Sequence, residues 1–108
     1  MDTLEEWRYA RKSAIELIKR QEFPLAQLIA RALELVGTNQ EFDTQGVFKP
    51  PLASELVVMI DELDRDTADR IKAGIVQLRL PIIQSLEIHL YRRDKMQLNI
   101  NVVPPPEA

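Results

Sequence analysis

The sequence predicts an α+β domain: an N-terminal antiparallel helix pair, a long third helix, and a C-terminal β-hairpin packed on the helices. Three observations carry that expectation. Apolar residues recur at helical spacing through the first third of the chain and again from Leu56 to Leu78. From Leu86 the period drops to two, with Leu86, Ile88 and Leu90 on one face and Glu87, His89 and Tyr91 on the other. After the charged break Arg92-Arg93-Asp94-Lys95, alternation resumes with Met96, Leu98, Ile100 and Val102 against Gln97, Asn99 and Asn101.

The first helix is expected over about 3–21. Thr3 and Glu6 have the spacing of a capping box, and Trp7, Ala10, Ala14, Leu17 and Ile18 form one apolar stripe. A second helix is expected over about 24–36. Pro24 suits its first turn, Leu25, Leu28, Ile29, Ala32, Leu33 and Val36 supply its buried face, and Gly37 is placed to cap it. The short connection makes the two antiparallel neighbours.

Residues 38–53 show no periodicity, and so long an unpatterned connection is either functional or disordered. Phe42, Val47 and Phe48 argue for partial packing, and Gln45 to Lys49 could add a short strand. The third helix is expected over about 54–79, with Ser54 as N-cap and Leu56, Ile60, Leu63, Thr67, Ile71, Ile75 and Leu78 stepping by three or four. A competing reading breaks it at Asp64-Arg65-Asp66, with Asp66 capping a new helix. Pro81 ends it. Strands follow at about 82–91 and 96–103. One domain thus covers 1–103, and 104–108 is an extended Pro-rich tail.

The hairpin's register follows from its pattern. Directly opposed antiparallel residues share a face, so an unbulged two- or four-residue loop would set Ile88 against Asn99. The faces match only if the loop has an odd number of residues or a bulge intervenes. A three-residue loop Arg92–Asp94, with Asp94 left-handed, places Leu90 opposite Met96.

The chain has 108 residues, 45% of them hydrophobic and 29% charged, which is ordinary for a globular domain. The net charge of −3 gives no bulk attraction to nucleic acid or anionic lipid. With no cysteine there is no disulfide framework or thiolate nucleophile. The acidic N-terminus lacks the pattern of a signal peptide, and no segment has membrane-spanning length, so a cytoplasmic location is expected.

No catalytic residue, cofactor site or metal site is assigned. His89 is the sole histidine, and with Glu87 it offers too few ligands for zinc. Asp64, Asp66 and Asp69 lack the glycine and closing glutamate of a calcium loop. Gly37, Gly46 and Gly74 are scattered, and no serine lies in a nucleophile elbow. The expected function is therefore non-enzymatic protein binding, as an adaptor or assembly subunit, through strand edges and the 38–53 loop. The partner residues expected are Phe42, Phe48, Glu87, His89, Tyr91, Gln97, Asn99 and Asn101, with a homodimer through the hairpin edge. The uncharged run Met96–Val103 marks the second strand as that edge. One alternative is a nucleic-acid-binding β-ribbon using Arg92, Arg93 and Lys95. Another is a small enzyme or ligand-binding domain around His89 and Glu87. The basic residues Arg8, Arg11 and Lys12 are interleaved with Glu5, Glu6 and Glu16, which argues against a nucleic-acid site there.

Overall fold

The chain order is α1 (Thr3–Lys19), α2 (Ala26–Leu35), β1 (Phe48–Lys49), β2 (Val57–Leu63), α3 (Arg65–Leu78), β3 (Ile83–Arg92) and β4 (Lys95–Val102). This computed structural model describes residues 3–36, 48–49 and 56–106. All strand pairs are antiparallel, in the order β1-β2-β4-β3. Since β2 and β3 both run opposite to β4, they are parallel to each other. The unit β2-α3-β3-β4 is therefore a split β-α-β arrangement in which the last strand inserts between the first two.

The α+β class and the hairpin on helices are as the sequence predicts. The segment 57–63 is not: it is strand, and the third helix starts only at Arg65. The N-cap is Asp64, whose carboxylate accepts from the Thr67 amide at 2.7 Å, and not Asp66. Ser54, the cap expected for the longer helix, lies outside the described residues. The misreading has a local cause. β2 is bulged between Ile60 and Leu63, with Glu62 at φ 61°, so Leu63 rejoins the face of Ile60 after three residues. A strand with a bulge thereby imitates a helical step.

One continuous core holds the layers together. Ala14, Ile15 and Ile18 of α1, Ile29 and Leu33 of α2, and Ile71 and Ile75 of α3 pack on the sheet face made by Val58, Ile60, Met96, Leu98, Ile100 and Val102. Ile15 joins this face where the stripe predicted Leu17, which is exposed. The α1–α2 pair is antiparallel: Arg11 reaches Leu33 and Glu34, whereas Gln27 donates to the Lys19 carbonyl. α2 begins later than expected, after Leu25 in left-handed geometry, so Pro24 precedes its cap. Its C-cap is Val36, and Gly37 lies outside the described residues.

Three contacts lock the helices to one another and to the chain's end. Arg11 donates through Nε and Nη2 to the Leu33 carbonyl at 3.1 and 2.8 Å and through Nη2 to that of Glu34, a cation set on the last carbonyls of α2. Its guanidinium also lies 5.7 Å from the Trp7 ring centroid. Burial lowers its pKa, partly offset by the Glu34 carboxylate. The Trp7 indole donates to the Val103 carbonyl at 2.7 Å, tying α1 to the residue after β4. On α3, a Cβ at Gly74 would stand 2.8 Å from Phe23 Cγ, so this glycine admits the ring from the α1–α2 turn.

Candidate functional site

The two strands of the hairpin meet different neighbours. β4 is interior, flanked by β2 and β3, so the expectation that Met96–Val103 forms an open edge is overturned. The reason is the misread segment: β2 occupies that side through Val57–Asn101, Met59–Asn99 and Ile60–Leu98. The long edge of the sheet is instead β3, ten residues from Ile83 to Arg92 with no strand beside it among the described residues.

The hairpin register is the one expected from face matching. Leu90 stands opposite Met96, Ile88 opposite Leu98 and Glu87 opposite Asn99. The means is a bulge after Leu90 and a two-residue turn, Arg93-Asp94, rather than a three-residue loop. Arg93 takes the left-handed position at φ 44°, not Asp94.

Backbone direction follows from two hydrogen bonds that flank β4. The Val102 amide donates to the Leu56 carbonyl on the β2 side, and the Val103 amide donates to Ile82 on the β3 side. Alternation along β4 then aims Gln97, Asn99 and Asn101 at β3, where they pair with His89, Glu87 and Ser85. The backbone groups of Leu86, Ile88 and Leu90 consequently face outward from the edge. Their side chains lie on the helix-facing side, yet the cover is thin there. Leu86 and Ile88 are half-buried and Leu90 is 64% exposed, whereas Leu98 and Ile100 on β4 are 0% exposed.

The opposite sheet face gathers five of the predicted partner residues. Glu87 and His89 of β3 lie beside Gln97, Asn99 and Asn101 of β4, with Val57, Met59 and Asp61 of β2 beyond. Of the other three, Tyr91 is the unpaired residue of the bulge between Leu90 and Arg92, Phe48 is in β1, paired with Ile60, and Phe42 lies outside the described residues. Much of this face is internally bonded. Asn101 Nδ2 donates to Ser85 Oγ at 2.9 Å, and Gln97 Nε2 to Asp61 Oδ1 at 2.7 Å. His89 Nε2 lies 3.0 Å from Glu87 Oε2, with both side chains about half exposed. Asn99 Oδ1, in the middle, is buried and accepts no hydrogen bond. Sequence reasoning missed Asp61, a buried carboxylate whose signal was hidden in the supposed acidic helix face.

At the hairpin tip, Arg92 is bound to Glu62 at 2.7 and 2.8 Å, and this contact raises its pKa. The left-handed turn of Glu62 in the β2 bulge presents that carboxylate, so the bulge braces the tip. Elsewhere, Glu34 gathers Arg31 at 2.8 Å and Lys19 at 3.3 Å; the Arg31 hydrogen bond is the main reason its pKa falls. Among the described residues no group of three or more His, Cys, Asp or Glu is arranged to hold a metal ion. Nor is any described helix long and apolar enough to cross a membrane. No family model matches the chain, and no curated protein or solved structure is significantly similar to it.

Proposed function

We propose that this chain is a non-enzymatic protein-interaction module that accepts an added strand on the outer edge of β3. The observation that carries the reading is the coincidence, on one edge, of outward backbone groups and a partly uncovered apolar row, Leu86, Ile88 and Leu90. Strand addition satisfies both at once: main-chain bonds supply affinity, and side chains on the two faces supply selectivity. Native proteins usually blunt such an edge with inward-pointing charge, proline or a covering segment. Here Leu86, Ile88 and Leu90 point inward, and β3 has no proline. Glu87 and His89 would then be read from the open face, and Tyr91 and the 38–53 segment with Phe42 and Phe48 belong to the proposal on their sequence alone. The cysteine-free composition suits the cytoplasm as the place of action.

The nucleic-acid reading is weaker. Arg92 is engaged by Glu62, and the amides of Gln97 and Asn101 donate within the sheet instead of projecting from a free ribbon. The His89–Glu87 pair lies on an exposed strand surface, which gives an enzyme reading no enclosed site to work in.

The test is co-purification from the native source with wild type and with Leu90→Lys, which puts an inward-pointing charge on the edge. The reading expects partners held by wild type to be lost from the variant while its circular dichroism is unchanged. Partners retained in full by Leu90→Lys and also by Ile88→Pro would refute it.

A further inference from the structure

We infer that the occupant of the β3 edge is β3 of a second copy, paired antiparallel about a two-fold axis at Ile88. This rests on the strand-addition reading above and specifies its partner. Because the outward backbone groups belong to Leu86, Ile88 and Leu90, a two-fold pair must set these even-numbered residues opposite one another as hydrogen-bonded pairs. That leaves a short series of registers, each centred on one residue, and the side chains choose among them.

Centring on Glu87 sets two carboxylates against each other. Centring on His89 sets two imidazoles together. Centring on Ile88 avoids every such conflict. Ile88 meets its own copy, and Leu86 meets Leu90 in both directions, so apolar faces apolar along the whole helix-side row. On the open face each Glu87 meets a His89 of the other copy. The acid and base that are 3.0 Å apart within one chain thus become a four-membered cluster of alternating character.

The pairing also disposes of the least covered large apolar side chain among the described sheet residues. Leu90, 64% exposed, comes to lie over Leu86 of the other copy, which is itself only half-buried. Directly opposed residues share a face, so both helix layers lie on the same side of one continuous sheet. The order becomes β1-β2-β4-β3 joined to its mirror sequence, and both β3 edges disappear.

A single-cysteine scan reads the register directly, because the chain has no cysteine of its own. Glu87→Cys, Ile88→Cys and His89→Cys are each oxidised mildly and run without reductant. Only the residue on the two-fold axis opposes itself, at the roughly 5.5 Å Cα separation that a disulfide spans; one position off the axis the separation is about 8 Å, beyond reach. Ile88→Cys is expected to convert to a covalent dimer while the other two stay monomeric. Sedimentation supplies the measurement that needs no cysteine: wild type should run as a dimer and Leu90→Lys as a monomer of unchanged circular dichroism. Cross-linking at 87 or 89 in place of 88 would overturn the register. Wild type sedimenting as a monomer at all concentrations would overturn the second copy. If a foreign protein were then released by Leu90→Lys, strand addition itself would stand.

Discussion

β3 and β4 are two halves of one hairpin with nearly the same alternating sequence, yet they end in opposite situations. β4 buries Met96, Leu98, Ile100 and Val102 almost completely, whereas the matching row on β3 runs from half-buried at Leu86 to mostly exposed at Leu90. Period-two patterning tells which side chains share a face. It does not tell how many neighbours the strand will have, and the neighbours decide the burial. β4 has a strand on each side and α3 across its face, while β3 has a strand on one side only among the described residues. The uncharged run Met96–Val102 of β4, which resembles an unprotected edge, is what an interior strand looks like.

The strongest way to break this comparison is to truncate matched residues. Leu98→Ala should cost about 2–5 kcal/mol in urea unfolding, as a cavity in a fully covered site. Leu90→Ala, measured at high dilution, should stay within about 0.5 kcal/mol. Equal losses would mean that β3 is covered as well as β4.

Proline separates the strands by backbone alone. Asn99→Pro removes a donor that faces β3 and strands the Glu87 carbonyl, an expected loss of about 1–3 kcal/mol from that group before any steric term. Ile88→Pro removes an amide that faces outward and should unfold less readily than Asn99→Pro, while abolishing association. The reverse order of midpoints would place the free edge on β4.

Asn99 offers a change in the other direction. Its Oδ1 is buried without a donor on the central strand, so Asn99→Val should gain about 1 kcal/mol in the same assay. A loss would show that this oxygen is satisfied in solution.

The smallest effect concerns the junction that makes β4 interior. Asp64 caps α3 directly after β2, and the Thr67 amide holds its pKa below the ordinary 3.8. A depressed carboxylate contributes stability above its unfolded pKa and loses it as pH falls through the folded value. Asp64→Ala should therefore melt lower than wild type at neutral pH, with the gap closing below about pH 4. A gap unchanged down to pH 2 or so would remove the carboxylate from the account.

These contrasts show what could be read in the chain and what could not. The hairpin and its face matching were plain, because seven apolar positions obey one rule and only a bulge or odd loop reconciles them. Which residue turns left-handed was not, since Arg93 holds that place by turn geometry and not by propensity. The helix pair was visible in its stripe, though not the role of Arg11, whose partners are backbone carbonyls of α2 and leave no mark in side-chain patterning. β2 was hidden by its own bulge, and with it the sheet order. The open edge of the hairpin consequently lies on β3, where the pattern points to β4. The two-residue β1 falls within the stretch expected to add a strand, at its last two positions.

Hydrogen exchange resolved at single amides tests the central claim most directly. At high dilution Leu86, Ile88 and Leu90 should exchange nearly as fast as unstructured chain, with Ser85, Glu87 and His89 between them slow. At high concentration all six should be slow. Protection of Leu86, Ile88 and Leu90 at high dilution equal to that of Asn99, or fast exchange at every concentration, would contradict the account.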